Sequence, residues 1–205
     1  MAKIGKSKQD RTRARIAAVA ARLMAEDGID DFALAKRKAS QQVGAAGFQS
    51  LPGNDEIETE LRAYQSLYQG EEQRERIQYL RKRALEVMQL LEPFHPYLCG
   101  AVLKGTAGRY SEIELQLFTD DSKALELFLL NHGISYDTED LHRFTGDRAR
   151  PVPVLKYDWL GVQVNLAVHT LKDERSTLKT TPLGQPMERA GLQAVRQLVA
   201  QQDAT

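Results

Sequence analysis

The chain has 205 residues and balances 28 Lys+Arg against 28 Asp+Glu, for a formal net charge of zero, which excludes a basic nucleic-acid coat over the whole surface and leaves only local patches. Apolar content of 42% allows a sizeable core, and the length suits one domain with attachments or two small domains. The lone Cys99 excludes an internal disulfide and a Cys-based zinc site, and the scattered His95, His132, His142 and His169 form neither an HxxxH nor an HExxH pattern.

Residues 1 to 10 are polar and basic and read as a frayed end. From Arg11 to Asp27 the apolar Ile16, Val19, Ala20, Leu23 and Met24 recur at helical spacing, with Gly28 as the stop. This stretch turns acidic at Glu26 and reads as a soluble helix instead of a signal peptide. No run approaches the ~20 apolar residues a membrane helix needs, so a cytoplasmic protein without a membrane partner is expected. A second helix is predicted over Asp31 to Val43, with Phe32, Leu34 and Ala35 inward and Lys36, Arg37 and Lys38 outward. The stretch "GAAGFQSLPGN" reads as a loop. Asn54 or Asp55 would cap a third helix to Tyr68, packed through Ile57, Leu61, Tyr64 and Leu67. The longest helical pattern follows, Glu72 to Leu91, with Ile77, Leu80, Ala84, Val87, Met88 and Leu91 apolar and Pro93 and Pro96 ending it.

The pattern changes at Tyr97. "YLCGAVL" reads as a short buried strand. "EIELQLF" alternates strictly, with Glu112, Glu114 and Gln116 on one face and Ile113, Leu115 and Leu117 on the other. "SKALELFLLNHG" is a helix ended by Gly133. "PVPVLKYDW" and "VQVNLAVHT" are strands joined at Leu160-Gly161 in a hairpin, and "MERAGLQAVRQLVAQQ" is a closing helix. The fold class is therefore α+β. A helical region over residues 1–91 precedes a small mixed-sheet domain over residues 92–205, ordered strand, strand, helix, strand, strand, helix.

Glu112 and Glu114 lie two apart on a strand, so both leave one face with Cα atoms roughly 6.5 Å apart. Such a pair beside a glycine-rich turn can seat a Mg²⁺ ion carried by a triphosphate, because Mg²⁺ takes one or two carboxylates plus phosphate oxygens. Glycines before the acids would let backbone N–H groups approach the phosphates. The competing reading of the pair is the solvated face of a surface strand.

The segment from Gly100 to Leu115 resembles the signature of the nucleotidyltransferase superfamily related to DNA polymerase beta. Gly100-Ala101 falls at the family's Gly-Ser. Lys104-Gly105 falls at its Arg-Gly. Ser111-Glu112-Ile113-Glu114-Leu115 falls at its Ser-Asp-Ile-Asp-Leu, without a gap. The resemblance covers roughly Tyr97 to Thr170. It implies a small mixed sheet, two Mg²⁺ ions on three carboxylates, and transfer of a nucleoside monophosphate from an NTP to an acceptor through a two-metal clamp. By this resemblance Glu112 and Glu114 are metal ligands and catalytic, and Asn165 stands at the third carboxylate position. Gly100, Ala101, Lys104, Gly105, Thr106, Arg109 and Ser111 line the nucleotide.

Three departures are visible. Ala101 lacks the hydroxyl of the family's Ser, with Thr106 or Ser111 as the nearby substitutes. Both acids are Glu, one methylene longer than Asp, against the strict geometry Mg²⁺ demands. The later strand carries Gln163 and Asn165 in place of an acid, with Asp158 nearby and His169 expected as an exposed residue on the same face. A second class of function is carried by the N-terminus. Residues 1 to 38 cluster their basic residues as "KIGKSKQDRTRAR" and "KRK" on two short helices, which suggests a helix-turn-helix with nucleic acid as partner. A regulatory protein that keeps the fold without enzymatic activity is the third.

Overall fold

The computed structural model describes residues 2–29, 31–45, 51–68, 70–145, 148–176 and 187–203. It is an α+β protein with a helical N-terminal region, and it divides into two compact units. Unit 1 comprises Met1–Arg76 with Thr106–Ser111, and unit 2 comprises Ile77–Gly105 with Glu112–Thr205. Among the described residues no helix is long and apolar enough to cross a membrane.

Unit 1 is built on three helices, α1 (Ala2–Asp27), α2 (Phe32–Gln42) and α3 (Asn54–Tyr68). Their core is Ile16, Ala17, Ala20, Ala21, Leu23 and Met24 of α1, Ala35 and Ala39 of α2, and Ile57 and Leu61 of α3. The many alanines let backbones approach closely, so little apolar bulk is needed to close the packing. Residues 2 to 10 are helical where a frayed end was expected. Lys, Gln and Ala are good helix formers, and extending a helix already fixed by packing costs no new nucleus. Asp31 caps α2 by accepting from the Ala33 and Leu34 N–H groups. Gly53 precedes α3, and Glu56, three residues on, reaches back to accept from the Gly53 N–H at 2.6 Å, the reciprocal half of a capping box. Arg13 of α1 clamps the same carboxylate through Nε at 2.9 and 3.0 Å. Leu67, predicted to pack, is 77% exposed, and Gln65 is buried in its stead. The predicted loop 44–54 lies partly outside the described residues.

Unit 2 starts within α4 (Gly70–Leu90), whose Ile77, Leu80, Ala84, Val87 and Met88 are buried as the spacing predicts. A short 3-10 turn at Glu92–Phe94, with Pro at its start, ends the helix. The predicted strand over "YLCGAVL" is split. Only β1 (Tyr97–Cys99) is extended, and Gly100 turns the chain into α5 (Gly100–Lys104). Then come β2 (Ile113–Phe118), α6 (Ser122–Asn131), β3 (Asp137–Thr145), β4 (Arg148–Trp159), β5 (Val162–His169), β6 (Ala190–Gly191) and α7 (Leu192–Asp203). β3 and β6 have no counterpart in the sequence reading. β3 is mostly charged and polar, which conceals a strand from periodicity, and β6 has two residues.

The sheet order is β3-β4-β5-β2-β1-β6. β2 and β5 are parallel, and every other pair is antiparallel. β4 and β5 are joined by the predicted hairpin, with positive φ at both Leu160 (54°) and Gly161 (84°), as a two-residue turn of this hand requires. Pro151 and Pro153 precede the part of β4 that pairs with β5, Val154 to Trp159, so their missing N–H groups cost no bond to β5. One face of the sheet is apolar and buried: Ile113, Leu115 and Leu117 of β2 beside Val164 and Leu166 of β5 and Leu155 and Tyr157 of β4. The opposite face carries Glu114, Gln116 and Phe118 beside Asn165, Ala167 and His169.

Candidate functional site

The polar face is wet at only one end. Gln116, expected on a solvated face, is 1% exposed, and His169, expected as an exposed strand histidine, is 4% exposed. The cause is a cover at the far end of the strands. The Arg189 guanidinium lies 4.9 Å from the Tyr97 ring centroid and 5.0 Å from that of Phe118. His169 stacks on Phe118 at 5.3 Å, and the Gln116 amide donates toward the Met187 thioether at 3.7 Å. Glu174 accepts from the Tyr97 hydroxyl at 2.8 Å. What stays open is the end at Glu112, Glu114, Asn165 and Lys156.

The register sets this end. Parallel pairing aligns Glu114 with Asn165, and antiparallel pairing aligns Asn165 with Lys156 and Glu114 with Cys99. Glu112 lies one residue before β2, and the Asn165 amide donates to its carboxylate. The Asn165 carbonyl oxygen is buried and takes no hydrogen bond from the described residues. Lys156 is ion-paired with Glu139 of β3. Its ammonium is held above the ordinary lysine value, first by the bond to Glu139 and further by the charges of Glu139 and Glu112.

Gly100 has φ 69°, and a Cβ built there would lie 2.7 Å from Cδ of Glu114. The glycine thus makes room for the Glu114 carboxylate as well as for the left-handed backbone that links β1 to α5. Gly105 has φ 75° and ends α5, donating its N–H to Ala101 O. Arg81 of α4, which sequence reasoning passed over, holds that helix end. Its Nε donates to Val102 O at 3.0 Å and a terminal nitrogen donates to Leu103 O at 2.8 Å. It stands among the charged residues of α4, and only the fold reveals that it is buried. Burial lowers its pKa.

The predicted site residues fall in both units. Gly100, Ala101, Lys104, Gly105, Glu112, Glu114 and Asn165 belong to unit 2, whereas Thr106, Arg109 and Ser111 belong to unit 1. There the turn they form is held by its carbonyls: Thr106 O accepts from Gln65 at 3.0 Å and Arg109 O from Arg76 at 3.3 Å. Thr106 and Ser111 are buried, and the Ser111 hydroxyl accepts from the Gly108 N–H at 2.9 Å. Asp158, the remaining acid near Asn165, accepts from the Gly161 N–H at 2.9 Å and so caps the β4–β5 turn.

Only two of the three carboxylate positions expected of a two-ion centre carry an acid, Glu112 and Glu114, and Asn165 stands at the third. Among the described residues no group of three or more His, Cys, Asp or Glu gathers to hold a metal. The third position is an amide that donates to Glu112, and the next position across the sheet is a lysine. Two carboxylates suffice for a Mg²⁺ whose remaining ligands come from phosphate and water.

No family model matches the chain, and no curated protein matches it. Among solved structures it is similar to one described as the structural basis for the activity of a cytoplasmic RNA terminal U-transferase. The identity is 19% and the TM-score 0.28, over 57% of this chain and 30% of that one. The chain therefore spans under a third of that protein's length, and a likeness at this score assigns it nothing.

Proposed function

We propose that unit 2 is a nucleotidyltransferase-like module that binds a nucleoside triphosphate at the open end of its sheet. The observation that carries this reading is the β2–β5 register, which aligns Glu114 with Asn165 and brings Glu112 into hydrogen bond with the same amide. In this reading Glu112 and Glu114 take one Mg²⁺ that arrives with the triphosphate, and Lys104 and the Gly100–Gly105 turn lie along the phosphates. Asn165 orients Glu112. This reading commits to binding in preference to nucleotidyl transfer, since the third acid position of a two-ion clamp is the neutral Asn165.

The test is calorimetric titration of the four NTPs with and without Mg²⁺, with the Glu112→Gln/Glu114→Gln double variant alongside. Binding to the wild type that Mg²⁺ strengthens, with that strengthening lost in the double variant, supports the assignment. Equal binding by both proteins refutes it. Glu112 is exposed and Glu114 half-buried, so the double variant is expected to remain folded.

A second reading, nucleic-acid binding by unit 1, is favoured by one observation. Arg11, Arg15 and Arg22 are exposed on one side of α1, opposite the buried Ile16, Ala20 and Leu23. Such a stripe contacts phosphates without reading sequence. Arg11→Glu/Arg15→Glu should abolish a salt-sensitive anisotropy change on a labelled oligonucleotide, and a wild type with no such change removes this reading.

A further inference from the structure

The departure of the donor set from three carboxylates has a specific feature. Where a third acid would add negative charge, the sheet carries a neutral amide at Asn165 and, directly across from it on β4, a cation at Lys156. We propose that Lys156 is a resident cation of the nucleotide site, supplying next to Glu112 the positive charge that a second ion would otherwise bring. This rests on the reading of unit 2 as a triphosphate-binding module.

Three observations carry it. Adjacent strands lie about 4.8 Å apart, so the four-carbon Lys156 stem can carry its ammonium over Asn165 to the Glu112 carboxylate. Lys156 currently pairs with Glu139, and that pair is exposed, with side-chain exposures of 36% and 52%. Exposed pairs of this kind are weak and easily exchanged for a better anion. Finally, the buried Asn165 carbonyl oxygen lacks a donor among the described residues and lies at the register position facing Lys156. An ammonium moved from Glu139 toward the site would donate to it and to a phosphate oxygen together. The site then balances a bound triphosphate with one lysine and a metal ion.

The consequence is nucleotide binding that survives metal removal. Titrate ATP and UTP by calorimetry into wild type, Lys156→Gln and Lys156→Arg, each in Mg²⁺ and in excess EDTA. Wild type is expected to keep measurable affinity in EDTA. Lys156→Gln should lose roughly 10- to 100-fold there, the range for one charge-assisted bond, and less in Mg²⁺. Lys156→Arg should restore most of the EDTA binding. If wild type binds in Mg²⁺ but not at all in EDTA, the proposal is overturned and the binding module stands. The same holds if Lys156→Gln matches wild type in both buffers. If wild type binds neither nucleotide in either buffer, the reading of unit 2 falls and the proposal with it.

Discussion

Replacing Gly100 with alanine separates two costs that the structure combines. The first is backbone. Gly100 has φ 69°, and an L-residue held in the left-handed region costs about 1–2 kcal/mol. The second is steric. The new Cβ would lie 2.7 Å from Cδ and 3.3 Å from Oε2 of Glu114, so the carboxylate must leave its place. Gly133 supplies a matched control in the same unit, because it has φ 70° and a Cβ there meets nothing within 4 Å. Gly133→Ala should therefore show the backbone cost alone, about 1–2 kcal/mol, or ~2–8 °C in Tm at this chain length. Gly100→Ala should cost about 1–3 kcal/mol more, as overpacking does, and should weaken Mg·NTP binding, which Gly133→Ala leaves intact. The single tryptophan, Trp159, lies on β4, so urea unfolding followed by its fluorescence reports on unit 2. Equal costs for the two variants, with binding unchanged in both, would refute the claim that Gly100 exists to seat Glu114.

Asn165→Asp places a third acid on β5 beside Glu112 and Glu114. It should lower the Tm in EDTA, by replacing a hydrogen bond with like-charge repulsion, and raise it in Mn²⁺ or Mg²⁺ by more than wild type gains; a thermal-shift titration shows this, and an unchanged metal response contradicts the site geometry. Arg81→Met leaves the Val102 and Leu103 carbonyls without their buried donor and should cost about 1–2 kcal/mol by Trp159 fluorescence, with Arg81→Lys rescuing only partly because one ammonium does not match the planar fork. In unit 1, the bond from Arg13, followed by that from the Gly53 N–H, holds the Glu56 carboxyl below the usual carboxylate range. A lowered folded pKa means its stabilisation is full above the unfolded value near pH 4.5 and is lost as pH falls through the folded value. With side-chain exposures of 36% and 40% the Arg13–Glu56 pair is worth under ~1 kcal/mol. Glu56→Gln should thus lower stability modestly at neutral pH and flatten the loss below about pH 4.5, read by far-UV circular dichroism; an unchanged acid slope would show that Glu56 does not titrate with folding.

The sequence by itself determined the elements whose periodicity is strong and local. The apolar stripe of α4, with Ile77, Leu80, Ala84, Val87 and Met88, is buried as read, because about three turns of consistent 3.6-residue spacing leave one solution. The Leu160-Gly161 hairpin was legible for the same local reason, since the turn needs two positive φ values and Gly supplies one freely. So was the α+β class. The sequence marked the glycine and glutamate positions of the candidate site, but not how they are arranged.

Tertiary structure decided the rest. A strand's alternation says which residues share a face and nothing about what covers it, so Gln116 and His169 were placed in solvent until Arg189, Tyr97 and Met187 closed over them. Nearness along the chain also does not tell what holds Thr106, Arg109 and Ser111. They are near neighbours of Gly105 and Glu112 along the chain, yet Gln65, Gln73 and Arg76 bind the carbonyls of this turn into the helical unit. Lys156 lies nine residues from Asn165 in sequence and directly opposite it in the sheet. That pairing follows from the register of β4 on β5, a long-range choice made by the two-residue turn and the burial of alternate residues, and it sets the charge of the site.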